Sequence, residues 1–306
     1  MTAALDASSS VELAVVERSG WPESRHSGAA VLVDADGRVV RALGDATALI
    51  YPRSTLKLVQ AAAVELLGVV FDAEQTALSA ASHAGTPAHV AVVERMLADA
   101  GLDASALRCP ADWPGDSAAR RAASAPLPIT MNCSGKHAGF LAAAAAQGWP
   151  LESHLELDHP VQRQVRELTI ELAGEDPAHW GVDGCGAPVP VMSLVGLARA
   201  VSQTARAGTL LGDAIRAHPW AIDGPGRSNT VTIERTGLVA KLGAEGVLVL
   251  VTPTGESVAV KVLDGSHRAT TPVGLELLVR AGLLTRELAD ETLAALAPAA
   301  ELRISF

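Results

Sequence analysis

Six consecutive residues, Asn132-Cys133-Ser134-Gly135-Lys136-His137, bring together a thiol, a hydroxyl, an amine and an imidazole. A hydrophobic core needs no such concentration of reactive groups, so the stretch marks a candidate site. Ser54-Thr55-Leu56-Lys57 is an SxxK pattern. On a helix, positions i and i+3 share a face, so a neutral lysine can take the serine's proton and activate it for attack on a carbonyl. Ser82 precedes a helix and is read as following a short strand, where side chains project from the end of a sheet. Lys241-Leu242-Gly243 ends another expected strand, with a glycine that leaves room for substrate against the backbone. Cys133, Lys136 and Cys185 invite a metal reading: two thiolates hold zinc, with a third ligand and water or substrate completing a tetrahedron. His137 is the third ligand that chemistry would choose first, because an amine must first lose its proton. Each residue also has an ordinary alternative: an N-cap for Ser54, a turn for Ser82, an exposed strand for Lys241, and buried free thiols for the cysteines.

Lysine usage bears on these alternatives. Of 24 basic side chains only Lys57, Lys136, Lys241 and Lys261 are lysine, which leaves 20 arginines. Arginine is the default surface cation, so a lysine marks a place arginine cannot fill. A buried ammonium can lose its proton, whereas a guanidinium cannot. All four lysines lie in or beside the candidate motifs.

The elements that must carry these residues follow from periodicity and capping. Residues 11–19, 29–33 and 38–43 read as strands, with Asp34-Ala35-Asp36-Gly37 as a hairpin turn. An apolar, alanine-rich helix follows Ser54. Thr86-Pro87 starts another, which stops at Gly101. Residues 109–128 form a long loop. Helices are expected after Cys133, from Pro160 to Gly174, over 194–207 and over 210–217, with Asp183-Gly184-Cys185-Gly186 as a glycine-rich turn between helical regions. Residues 230–234, 238–242, 246–252 and 257–263 read as strands, and a helical region begins near Thr271. Strands at both ends around a helical middle predict an α+β fold whose ends share one antiparallel sheet. No linker or repeat interrupts residues 1–306, so a single domain is expected.

Composition excludes several classes. A formal net charge of -10 without a basic run argues against nucleic-acid binding. The longest apolar runs fall short of the roughly 20 residues that span a bilayer. Asp6, Glu12 and Glu17 interrupt any apolar leader, so a soluble cytoplasmic protein is expected. Cys109, Cys133 and Cys185 are too few for a disulfide scaffold and should be thiols or metal ligands.

Taken in order, the segments Pro-Arg-Ser-Thr-Leu-Lys at 52–57, Ala-Ser-His at 81–83, Asn-Cys-Ser-Gly-Lys-His-Ala-Gly at 132–139, Asp-His-Pro at 158–160, Trp-Gly-Val-Asp-Gly-Cys at 180–185, Lys-Leu-Gly-Ala at 241–244 and Val-Lys-Val-Leu-Asp-Gly at 260–265 closely resemble the Rhizobium etli-type (class 3) L-asparaginases of the asparaginase II family. The resemblance implies a fold similar to the serine β-lactamases and penicillin-binding proteins, a homodimer, and hydrolysis of L-asparagine to L-aspartate and ammonia. It pairs Ser54 with Lys57 and Ser82 with Lys241, and it supplies Lys136, beside Cys133 and Cys185, as a ligand of Zn2+. Arg53 and Asp183 match residues lining the substrate pocket, and His137 stands beside them as a substrate-binding candidate. The chain departs from many relatives at Gly85-Thr86-Pro87, where they carry an acidic residue. The alternatives from other classes are a Ser-Lys hydrolase of β-lactams or peptide amides, and a non-catalytic amino-acid-binding protein.

Overall fold

The computed structural model describes residues 3–296 and 301–306. Its first strands are β1 (Val11–Arg18), β2 (Trp21–Val33), β3 (Val39–Leu43) and β4 (Leu49–Ile50). A hairpin of β5 (His179–Val182) and β6 (Pro188–Ser193) interrupts the helical middle. Three consecutive strands come late, β7 (Val239–Gly243), β8 (Val247–Val251) and β9 (Ser257–Val262), before a final β10 (Glu301–Ile304). The main sheet runs β10-β1-β2-β9-β8-β7, with β3 also on β2, and every pairing is antiparallel. Both ends of the chain thus share one sheet around a helical middle, as expected. A second, small sheet β4-β6-β5 was not expected.

Strand β8, Val-Leu-Val-Leu-Val, is buried along its whole length because it is covered on both faces. Leu248 and Leu250 meet Gly274 of the helix Thr270–Arg280. On the opposite face Ser257 Oγ donates to Ala198 O of the helix Leu194–Ala205 at 2.7 Å. Side chains alternate along a strand, so Lys241, Val249, Ala259 and Lys261 share the face of Ser257, toward the helical middle.

The helices with local start signals appear where expected. Thr86 forms a capping box with His89 ahead of Pro87–Asp99, and His159 Nδ1 accepts the Val161 N–H ahead of Pro160–Ala173, with Gly174 left-handed at the end. Other expectations are corrected. Residues 230–234 lie in a helix, Ser228–Thr236, although they are rich in β-branched residues. Thr232 and Thr236 hydroxyls donate back to the Ser228 and Thr232 carbonyls, and Thr230 and Ile233 pack inward. The segment before Ser82 is a helix, Ala73–Ser79, started by an Asp72 capping box, not a strand. Ser54 is not an N-cap: it sits inside a 3-10 turn, Arg53–Leu56, whose caps make no side-chain hydrogen bond. The 183–186 turn joins two strands, not two helices.

Gly243 explains how the turn carrying Ser54 reaches the sheet. A Cβ on it would lie 2.8 Å from Pro52 O and 3.2 Å from Ser54 N. The space expected for substrate is filled by the protein's own backbone. Gly243→Ala should therefore cost about 1–3 kcal/mol of stability through overpacking, read as a lower midpoint in urea unfolding.

Candidate active site

The Ser82 segment is extended and tied on both sides by backbone bonds. Ser82 N–H donates to Ile222 O, His83 N–H to Asn132 O and Ala84 N–H to Asp223 O, at 2.9, 3.1 and 2.7 Å. Its position is thus set by the loop after Ile222 and by the residue just before Cys133. His83 is fully buried. Its Nδ1 accepts the Gly85 N–H at 3.1 Å, so the proton is on Nε2, which donates to Ser134 Oγ at 2.9 Å. Ser134 Oγ in turn donates to Ile129 O at 2.8 Å. Burial first, with the charge of Lys57 adding to it, holds His83 well below the usual imidazole range and keeps it neutral. Ser134 and His83 are therefore spent on joining two segments of the fold.

Two amines converge on Ser82. Lys241 Nζ donates to Ser82 Oγ at 2.7 Å and to Leu242 O at 2.9 Å. Lys57 Nζ donates to Ser82 Oγ at 3.0 Å and also to Ala81 O. The structure therefore keeps the Ser82–Lys241 pair and moves Lys57 from Ser54 to Ser82. No hydrogen bond from Lys57 to the Ser54 hydroxyl is found among the described residues. The Lys57 amine is instead committed to the Ala81–Ser82 segment, through the Ala81 carbonyl and the Ser82 hydroxyl. Burial, reinforced by the charge of Lys57, pushes Lys241 down to about 7.

The thiols and third amine form a second cluster behind this one. Cys133 precedes the helix Ser134–Ala146, which comes close to Ala73–Ser79 because a Cβ on Gly135 would lie 2.5 Å from Leu78 O. Lys136 Nζ donates to Cys185 Sγ at 2.9 Å. The Cys133 thiol beside Cys185, and then the charge of Lys136, pull Cys185 down to about 4, so it is held as a thiolate. Lys136 stays charged: burial opposes this, but Cys185 and Cys133 outweigh it.

Asp183 and Arg53 meet each other. Arg53 Nε donates to Asp183 Oδ1 at 2.8 Å, and the Gly184 N–H donates to the same oxygen at 2.9 Å. Burial would raise Asp183, but Lys136, the Gly184 N–H and Arg53 hold it below the usual carboxylate range. Arg53 adopts φ +52, a left-handed backbone that a non-glycine residue takes at a cost. His137 is completely buried, and neither ring nitrogen has a partner among the described residues. Burial, aided by Lys136, pushes it down to about 3. It lies inside the protein rather than on an accessible wall.

Sequence reasoning missed Asp223 and Asn229. Asn229 Nδ2 donates to Asp223 Oδ2 at 3.1 Å, and its Oδ1 accepts the Leu242 N–H at 2.9 Å. This loop clamps the strand of Lys241 to the segment of Ser82, and Asp223 raises Lys241 against the larger effect of burial. The signal was present in Asp223-Gly224-Pro225-Gly226, a turn followed by Arg227-Ser228-Asn229.

Two sulfurs and an amine lie together at a helix start and a hairpin turn, one sulfur held ionised; this donor set suits zinc once Lys136 and Cys133 give up their protons. Among the described residues no group of three or more His, Cys, Asp or Glu could hold a metal, so Lys136 is needed to complete a third ligand.

With this geometry, the model of the L-asparaginase II family matches residues 14–303. The chain belongs to the L-asparaginase II family. It is therefore an enzyme of asparaginase type, an amidohydrolase acting on a small molecule. No curated protein matches the chain. The crystal structure of a β-lactamase from Mycobacterium bovis matches 88% of this chain and 94% of its own at 15% identity and a TM-score of 0.38, a likeness too slight to argue from. Among the described residues no helix is long and apolar enough to cross a membrane.

Four lysines make a direct test practical. In protein carrying labelled lysine, one of four amine signals should titrate near pH 7. In Lys57→Met that signal should move toward higher pH, because a neighbouring cation is gone. A signal that does not move would exclude coupling between the two amines.

Proposed function

We propose that the protein hydrolyses the side-chain amide of L-asparagine, with Ser82 as the attacking hydroxyl. The observation that carries this is the Ser82 Oγ held between Lys57 and Lys241, one of which is poised near neutrality. Neutral Lys241 takes the Ser82 proton as Oγ bonds to the amide carbon. The Ser82 N–H is already given to Ile222 O and the Thr55 N–H to Pro52 O, so the oxyanion falls to the Arg53 and Ser54 N–H groups at the start of the turn. The proton on Lys241 passes to the amide nitrogen, the C–N bond breaks and ammonia leaves. Water then attacks the acyl ester, its proton returns through Lys241, and Ser82 is released with aspartate. Ser54, on the same turn, assists by orienting that water.

Arg53 and Asp183, paired with each other at 2.8 Å, provide opposite charges for the two ends of the substrate's α-amino acid group. Cys133, Lys136 and Cys185 are the residues that would hold Zn2+. A bound zinc ion would supply a fixed positive charge that orders the Asp183 turn and the substrate. This part rests on the donor set and the family resemblance. The alternative of a β-lactam or peptide amidase has no use for the thiol pair.

Ammonia should be released from L-asparagine. Ser82→Ala should lower kcat/KM by about 10^3-fold or more, whereas Ser54→Ala should cost much less. The reverse order would move the nucleophile to Ser54. Because the base must be unprotonated, kcat/KM should rise as pH climbs through about 7 and level off above it. Turnover of a chromogenic β-lactam in place of asparagine would overturn the substrate assignment.

Metal analysis tests the other cluster without reference to turnover. Purified protein should carry close to one zinc per chain, and Cys185→Ser should lose it.

A further inference from the structure

Lys261 is the one lysine that the proposed mechanism does not use. Lys241 faces Val249 across β7 and β8, and Val249 faces Ala259 across β8 and β9. Gly243 faces Val247, which faces Lys261. The second row lies one step along the same sheet face, beneath the turn that carries Arg53. A cavity of about 160 Å3 opens there, lined by Arg53, Lys261 and Glu245 with Leu5, Leu49, Ile50 and Tyr51. Neither Ser82 nor Lys241 lines it. Two strand spacings (about 10 Å) and a two-residue step (about 7 Å) separate the backbones of Lys241 and Lys261. That exceeds the length of an asparagine, so one molecule of substrate does not fill both places.

The donors are partly uncommitted. Lys261 Nζ donates to Glu245 O at 2.6 Å and to Val262 O, which leaves one of its three N–H groups. Arg53 gives Nε to Asp183, which leaves its two terminal amino groups. Glu245 is held in the hairpin turn at φ +63, and its carboxylate lies against Gly265, where a Cβ would be 2.8 Å from Oε2. Two cations, one carboxylate, three aliphatic side chains and the Tyr51 ring around a small volume match a zwitterion with an apolar side chain.

We propose that this cavity binds a free α-amino acid as an effector. Its carboxylate lies between Arg53 and Lys261, its ammonium faces Glu245, and its side chain packs on Leu5, Leu49 and Ile50. Arg53 is shared with Asp183, so a carboxylate that draws the guanidinium outward loosens its hold on Asp183. The binding part is independent of the proposed function; only the coupling to turnover rests on it.

L-Valine, which has no amide to hydrolyse, is a suitable probe, with isovalerate as its analogue lacking the ammonium. Calorimetry on the full chain should show one L-valine site, weakened at least about tenfold in Lys261→Met and retained in Lys261→Arg. Glu245→Gln should weaken L-valine at least about tenfold and leave isovalerate unchanged. Saturating L-valine should shift the KM for asparagine in the wild type and in neither weakened variant, all proteins melting at similar temperatures. Equal L-valine affinity in wild type, Lys261→Met and Glu245→Gln, or none in wild type, would overturn the site. Binding with an unchanged KM would overturn the coupling through Arg53. A failure to hydrolyse asparagine would instead sink the proposed function and leave the binding result standing.

Discussion

A serine hydroxyl shared by two buried amines is the constraint around which the other parts are arranged. Removing an ammonium from water is costly, and Lys57, Lys136 and Lys241 are all nearly or completely buried. Their hydrogen bonds go to carbonyls, a hydroxyl and a thiol. The protein handles each amine differently. Lys136 keeps its proton because a thiolate forms beside it. Lys241, where Asp223 and Cys133 favour the charge less than burial and Lys57 oppose it, is driven toward the neutral form. Burial first, and then the proximity of a like charge, here produce an amine poised near neutral pH.

That arrangement demands close approaches between elements. Gly243 lets the Arg53–Leu56 turn lie on β7, and Gly135 lets the helix after Cys133 touch the helix before Ser82. The bond from His83 to Ser134 then fastens the serine segment to the thiol helix, and Asn229 fastens β7 to the loop that carries Asp223. Lysines on three different elements are thereby held inside the fold, Lys57 and Lys241 by neutral acceptors and Lys136 by the Cys185 thiolate.

The legible parts of the sequence were those with local causes. Thr86-Pro87 and His159-Pro160 declare helix starts through capping, and the alternation in 257–262 declares a strand. What failed depended on distant partners. Residues 230–234 look like a strand by composition, but their place beside β7 and the helix Arg286–Ala295 makes them helical. The pairing of Lys57 with Ser82 instead of Ser54 depends on where the distant Ala81–Ser82 segment lies, which SxxK spacing does not encode. The residue types of the site were visible because lysine is scarce; their contacts were not, because they arise only when β7, the 222–229 loop and the Ser82 segment are assembled. Asp223 and Asn229 escaped notice because a glycine-proline turn looks like an ordinary connection.

The topology of β2 also bears on how the molecule is made. Its second half pairs with β9, more than two hundred residues later in the chain, so that pairing waits until nearly all of the protein has been synthesised. Contacts of such long sequence separation close slowly. The helical middle can condense first, while the face that will meet Lys241 is still uncovered and exposes apolar surface. The proposed catalytic cluster is therefore completed last, together with the sheet, and a nascent chain that stalls before β7 holds Ser82 and Lys57 without Lys241.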